Sequence, residues 1–328
     1  MGRRQIRMTT SPNVPKGGFM KYYLAPLEGI TTNIYRKVYH KHYMPMDKYF
    51  TPFLVPHEKK GFSTKEKREI LPEFNEGQYL VPQIMSNNAE DCLSTIEKLK
   101  AIGYDEANLN FGCPSKTVVS KKRGSGFLAF PDELEAFLDT VMEKADMKIS
   151  IKTRIGKLDP DEFYRILDIY NKYELEELII HPRLQSDYYK NHPNMEMFAY
   201  AMKESKNPLC YNGDLFTTED LKGFQKQNPQ VDTIMLGRGV MRNPGIIEQL
   251  KTENKLDVEK LRAFHDDLLK EYIDYNSGIV PVLFKMKEIW AYMGNNFQEG
   301  DKLLKKLRKT DKLEVYEQMV NELFALLS

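Results

Sequence analysis

Asn110 and Cys113 stand three residues apart in the segment Asn108-Leu109-Asn110-Phe111-Gly112-Cys113-Pro114-Ser115-Lys116. Gly112 permits a sharp backbone turn, and Pro114 fixes the chain after the thiol. The loop therefore presents an amide and a sulfhydryl side by side. A presented thiol acts as a nucleophile, a metal ligand or a proton donor. The other cysteines read differently. Cys92 lies in a helical pattern and Cys210 ends an apolar run, so both read as small hydrophobes. No Cys-x-x-Cys and no histidine at ligand spacing accompanies Cys113, so no metal site and no disulfide framework is expected. Three cysteines in 328 residues suit a reducing, cytoplasmic compartment.

More polar residues close the short apolar runs that recur along the chain. The runs are 22–25, 48–53, 79–84, 106–110, 148–153, 178–181, 209–212 and 233–236, with helical patterns such as 88–101, 132–144, 160–173 and 218–227 between them. Eight strand-helix units predict an α/β fold, a (β/α)8 TIM barrel, whose active site is built at the C-terminal ends of the strands. Those ends carry Ala25-Pro26-Leu27-Glu28-Gly29, Gln83, Asn110 with Cys113, Lys152 with Arg154, His181 with Arg183, Asn212-Gly213-Asp214 and Gly237-Arg238-Gly239. One lone Lys or His at a strand end is ordinary rim. Seven strand ends with convergent polar groups point to a site.

Two of these turns are glycine-rich and follow the last two strands, the usual phosphate position of such barrels. Arg238 adds a charged donor for phosphate. A phosphate site beside Gln83, Lys152 and His181 fits flavin mononucleotide. Gln83 is placed to bond the pyrimidine edge of the isoalloxazine, and Lys152 and His181 to set positive charge near N1 and O2. The competing reading of Lys152 is a buried ion pair, for which Asp214 is the one obvious acidic strand-end partner.

After residue 250 the pattern is helical only. Stripes of Leu261, Phe264, Leu268, Leu269, Tyr272 and Ile273, then Val282, Met286, Ile289, Trp290 and Met293, then Leu303, Leu304 and Leu307 read as core. The division expected is a flexible lead-in at 1–20, a barrel at 21–251 and a small all-helical C-terminal domain at 252–328. The formal charge is +1, yet between Lys285 and Lys312 there are eight Lys or Arg against four Asp or Glu. Such a run is a solvated helix face or a polyanion grip. No apolar run reaches the length of a membrane span.

These motifs, in this order and spacing, resemble the tRNA-dihydrouridine synthases over about residues 20 to 250. Lys285-Met286-Lys287-Glu288-Ile289-Trp290 is similar to the segment that follows the family's barrel. Two departures stand out: Leu184 follows Arg183 where the family carries a hydroxyl, and Phe127 stands where smaller residues are common. The resemblance implies an FMN-dependent oxidoreductase that uses NADPH to reduce the C5–C6 double bond of tRNA uridines, and a monomer is expected. It implies FMN contacts from Ala25, Pro26, Leu27, Gln83, Lys152, His181, Asn212, Gly213, Asp214, Gly237 and Arg238. It assigns substrate contacts to Asn110, Arg154 and Arg183, and proton delivery to C5 to Cys113. The helical domain is then expected to grip tRNA phosphates. Two other functions fit parts of the pattern: an FMN-dependent oxidoreductase of a free pyrimidine, of the dihydroorotate dehydrogenase kind, and a tRNA-binding barrel without catalysis.

Overall fold

The computed structural model describes residues 19–56 and 61–327. The expected lead-in at 1–20 lies outside them except for its last two residues. Among the described residues nine short strands alternate with helices: β1 (Lys21–Leu24), β2 (Lys48–Phe50), β3 (Leu80–Val81), β4 (Gln83–Ile84), β5 (Glu106–Phe111), β6 (Lys148–Arg154), β7 (Glu177–His181), β8 (Leu209–Tyr211) and β9 (Thr233–Leu236). They form one parallel sheet in the order β3-β2-β1-β9-β8-β7-β6-β5-β4.

The two ends of that order are halves of a single run, split at Pro82, which has no N–H to donate. The carbonyl of Pro82 still accepts from the Asn108 N–H at 2.9 Å, and the Leu54 N–H reaches the Gln83 carbonyl at 2.7 Å on the other side. The ring therefore closes, and nine segments make the eight staves that the alternation predicts.

Helices follow the strands on the outside. Those at Ala89–Ile102, Pro131–Lys144, Glu162–Tyr170 and Thr218–Gln227 match the sequence patterns within a few residues. Thr217 caps the last of these: its side chain accepts from the Asp220 N–H, and Asp220 reaches back to the cap. Alternation along each strand splits the apolar residues into two sets. One set, including Leu109, Ile151 and Ile180, joins the core between sheet and helices. The other, Tyr23, Ala25, Phe50, Val81, Ile179, Cys210 and Met235, fills the barrel interior.

Polar residues share that interior. Glu106, Asn108 and Asn110 alternate along β5 and are all buried. A hydrogen-bond chain runs up through them. Lys48 Nζ pairs with Glu106 at 2.7 Å. Ser150 donates to the other oxygen of Glu106 at 2.8 Å and accepts from Asn108 at 2.9 Å. Asn108 accepts from Gln83 at 2.8 Å, and Gln83 accepts from Asn110 at 2.7 Å. The barrel floor is thereby tied to its mouth, each buried polar group meeting a partner.

Past β9 come helices Arg238–Arg242 and Ile246–Thr252, then Val258–Tyr275, Ile279–Met293, Asp301–Leu307 and Leu313–Ala325. The last four enclose Trp290, whose indole N–H donates to Tyr316 Oη at 2.8 Å, while His265 Nε2 lies 2.6 Å from the same oxygen. Ile273, expected in this core, is 40% exposed instead. The helix Val258–Tyr275 packs on Asn33–His42, with Phe264 edge-on to Tyr35 and Tyr43 at 5.7 and 5.3 Å. Burying a Phe is worth about 1.5–3 kcal/mol. The ion pairs beside it, such as Lys37–Glu271, are partly exposed and worth about 0–1 kcal/mol each. Aromatic packing therefore holds the helical region to the barrel.

Candidate active site

A cavity of about 250 Å³ opens at the C-terminal end of the barrel. Of the residues expected from sequence, it is lined by Pro26, Leu27, Asn110, Cys113, Lys152, Arg154 and His181. Ala25, Gln83, Arg183, Asn212, Gly213, Asp214, Gly237 and Arg238 do not line it, but most bond to residues beside it.

The Cys113 loop is held from three sides. Asn110 Oδ1 accepts the backbone N–H groups of Gly112 and Cys113, both at 3.0 Å. The Cys113 carbonyl accepts from the Ser125 N–H at 3.0 Å and from its hydroxyl at 2.8 Å. Gly124 lies so close that a Cβ there would come within 2.7 Å of the Cys113 carbonyl oxygen. Arg154 Nε donates to the Gly112 carbonyl at 3.0 Å. The thiol is half-buried, and burial raises its pKa above the ordinary 9.0, with Glu28 pushing the same way. Cys113 is therefore a protonated thiol near neutral pH, suited to giving up a proton rather than attacking as a thiolate. Among the described residues no cluster of His, Cys, Asp or Glu suits a metal ion.

Lys152 and Arg154 point the same way from β6 but are used differently. The Lys152 ammonium has no hydrogen-bond or ion-pair partner among the described residues. Burial, with the nearby Arg154 charge, pulls its pKa down to about 8. Asp214, the partner considered from sequence, is engaged elsewhere. Arg154 spends its guanidinium on three backbone carbonyls, of Gly112, Leu184 (2.7 Å) and Tyr188 (2.8 Å). It clamps the cysteine loop to the loop after β7 and presents its plane 5.4 Å from the Tyr189 ring centre.

His181 is neutral. Arg183 Nη1 lies 2.8 Å from His181 Nε2. A guanidinium only donates, so Nε2 accepts and the ring proton sits on Nδ1. Burial first, and then the charges of Arg154, Lys152, Arg183 and Arg238, hold its pKa well below the usual 6.5. The positive charge expected on His181 from sequence is therefore absent, while the Lys152 ammonium lines the same cavity.

Arg183 also grips Asp214 with both terminal nitrogens and the Asn191 carbonyl with Nε. Arg238 Nη2 reaches Oδ1 of the same carboxylate, the oxygen that Arg183 Nη1 also bonds. Asp214 thus ties the loops after β7, β8 and β9 together, leaving one net positive charge among the three groups. Asn212 adds a bond to the Met235 carbonyl at 2.9 Å. The glycines here are required by close approach: a Cβ at Gly213 would lie 2.0 Å from Tyr211 Oη, and one at Gly239 2.1 Å from the Leu215 carbonyl oxygen. At Gly237 a Cβ would press on Ala25 at 3.3 Å. The glycines let these turns pack directly against β8, the loop after it and the end of β1.

Gly112 and Pro114 of the cysteine loop line it too, as do Glu28, Ile30, Phe53, Tyr189 and Tyr292, which were not singled out in sequence. Glu28 sits inside the Ala25–Gly29 motif, and burial raises its carboxyl pKa. Tyr189 has no periodic signal, being in a loop. Tyr292 belongs to the helix Ile279–Met293, so the C-terminal region forms one wall of the cavity.

A closed parallel barrel whose C-terminal mouth holds a thiol, an ammonium and a guanidinium in one cavity is an enzyme-type barrel with its site at the strand ends. Similarity to known proteins gives the family. Residues 23–324 match the family described as dihydrouridine synthase, and the chain belongs to that family, whose enzymes are flavin-dependent oxidoreductases acting in tRNA processing. It is 28% identical over 286 residues to a probable tRNA-dihydrouridine synthase of Helicobacter pylori, covering 84% of each chain. It is 26% identical over 260 residues to one of Staphylococcus aureus, covering 76% of this chain and 78% of that one. It is 25% identical over 305 residues to a tRNA-dihydrouridine(16) synthase of Shewanella oneidensis, covering 88% of this chain and 93% of that one. Among the described residues no helix is long and apolar enough to cross a membrane.

Proposed function

We propose that this protein reduces uridines in tRNA to dihydrouridine, with FMN as its cofactor and NADPH as reductant. The observation that carries the reading is the meeting of a protonated thiol, Cys113, and an unpartnered ammonium, Lys152, in one cavity at the barrel mouth.

FMN fits the residues present. Lys152 supplies the charge suited to the pyrimidine end of a flavin, and the net positive Arg183–Asp214–Arg238 cluster with Gly213 and Gly237 suits its phosphate. Pro26, Leu27 and His181 form the wall between, with Ala25 and Asn212 outside that lining. His181, being neutral, offers a hydrogen bond and no charge. When bound, the cofactor supplies the hydride chemistry that links a nicotinamide to a carbon–carbon double bond.

The protein's own part is positioning and proton control. Cys113 holds its proton at neutral pH and delivers it to C5 of the uracil. Asn110 keeps the thiol in place, with one amide hydrogen left for the base edge. Arg154 and Arg183 act through the loops they fasten. The uracil reaches the cavity only after leaving its stack. Tyr292 puts the helical region at residues 252–328 next to that base, which supports a tRNA-gripping role for it and a catalytic role for 21–251. On this reading the protein is a monomer acting on tRNA in a reducing, cytoplasmic compartment, in keeping with its few cysteines.

Cofactor released by heat and identified by mass tests the first half of the reading. FMN is expected. Flavin adenine dinucleotide, or no flavin retained after reconstitution, overturns it.

A further inference from the structure

We infer that Phe284 is a stacking platform for an unpaired tRNA base next to the target uridine. This rests on the proposed action on tRNA. Phe284 is 60% exposed, among the most exposed large apolar residues described. It lies on the helix Ile279–Met293, two turns before Tyr292, which lines the cavity, so both side chains fall on neighbouring strips of one helix face.

Its neighbour fixes where it stands. Lys285 Nζ donates to the Gly29 carbonyl at 3.0 Å and sits 5.9 Å from the Phe284 ring centre. Gly29 directly follows Glu28, a lining residue of the cavity. Phe284 therefore stands at the rim where the barrel's first loop meets the helical region. A scattered surface Phe needs no explanation. This one stands next to Lys285, which joins the Gly29 carbonyl to Glu288 (2.8 Å) beside the cavity's first loop, and near Lys287, a cation suited to the phosphates on either side of an unstacked base. An exposed aromatic with adjacent cations is how single-stranded RNA is held, since every base offers a π-face.

The test compares Phe284→Ala, Phe284→Leu and Phe284→Trp in the flavin-loaded enzyme on unmodified tRNA. Phe284→Ala is expected to lower kcat/KM for tRNA about tenfold, within the range for removal of one base–aromatic stack. Phe284→Trp restores it, whereas Phe284→Leu does not, which separates stacking from apolar burial. Flavin content and flavin reduction by NADPH stay at wild-type values in all three. Unchanged kcat/KM in Phe284→Ala, or full rescue by Leu, overturns the inference while leaving the tRNA activity standing. A wild-type enzyme inactive on tRNA overturns both. Sedimentation covers the competing occupant: a wild-type dimer that Phe284→Ala dissociates assigns the face to a second copy of the chain and overturns the RNA assignment.

Discussion

The side-chain oxygen of Asn110 accepts the backbone N–H of Cys113 at 3.0 Å, and the same side chain donates to the buried Gln83 at 2.7 Å. The thiol's position is thus referred to the barrel interior, since Gln83 is anchored to Asn108 and through it to β6. Asn110→Ala removes an acceptor shared by two N–H groups and orphans a buried amide oxygen. A loss of about 1–3 kcal/mol is expected, by the usual cost of an unsatisfied buried group. Urea unfolding measures it. The loosened loop should also let a disulfide reagent modify Cys113 faster than in the wild type. An unchanged modification rate would show that Ser125 and Arg154 hold the loop unaided.

Cys113→Ala separates proton delivery from cofactor chemistry. Flavin stays bound and NADPH still reduces it, but uridine reduction is lost. Because burial raises the thiol's pKa, the proton is in place throughout the neutral range. Uridine reduction should therefore stay level with pH near neutrality and fall only above the ordinary thiol range. Single-turnover rates across pH decide this. A fall beginning near pH 7 would mean that another group is the acid.

Lys152 gives a stability prediction with a definite sign. Its pKa is about 8 in the folded, cofactor-free protein against 10.5 ordinarily. Between those values the unfolded chain binds more protons, so stability rises with pH. Below pH 8 the buried charge costs on the order of 3 kcal/mol. Lys152→Met should therefore be more stable than wild type at pH 7, the gap closing toward pH 10, while its affinity for FMN falls. Thermal unfolding at several pH values, with and without cofactor, reads both effects. A variant less stable than wild type at pH 7 contradicts the assignment of an unpaired ammonium.

How much of this was legible in the chain depends on the range of the interaction. Strand ends could be read because alternation and glycine turns are local signals, and Glu106, Asn108 and Asn110 sit two apart for the same reason. The clamp of Arg154 could not be read. Its partners are carbonyls of Gly112, Leu184 and Tyr188, from loops joined only by folding. The neutral state of His181 likewise depends on Arg183 turning back on it and on four surrounding cations. Tyr292 reached the cavity from a helix whose stripe read as core. The split of one stave at Pro82 was visible as a residue but not as a closure, because only the ring shows what its carbonyl meets.

The exposed cations Lys302, Lys305, Lys306, Arg308 and Lys309 lie on and just after the helix Asp301–Leu307, none in an ion pair among the described residues. If they meet tRNA phosphates, neutralising several should weaken binding and lower the salt slope by roughly 0.7–0.9 for each phosphate no longer neutralised. Flavin content and NADPH oxidation should not change. An unaltered slope moves the grip elsewhere, with Lys121, Lys122 and Arg123 after the cysteine loop as the next candidates.

The central claim is that the barrel mouth reduces a uridine within tRNA. Purified, flavin-loaded protein is incubated with NADPH and unmodified tRNA, and the nucleosides are resolved by mass. The expected result is dihydrouridine in wild-type reactions and none with Cys113→Ala. Unchanged tRNA, together with turnover of a free pyrimidine by the same preparation, would contradict it.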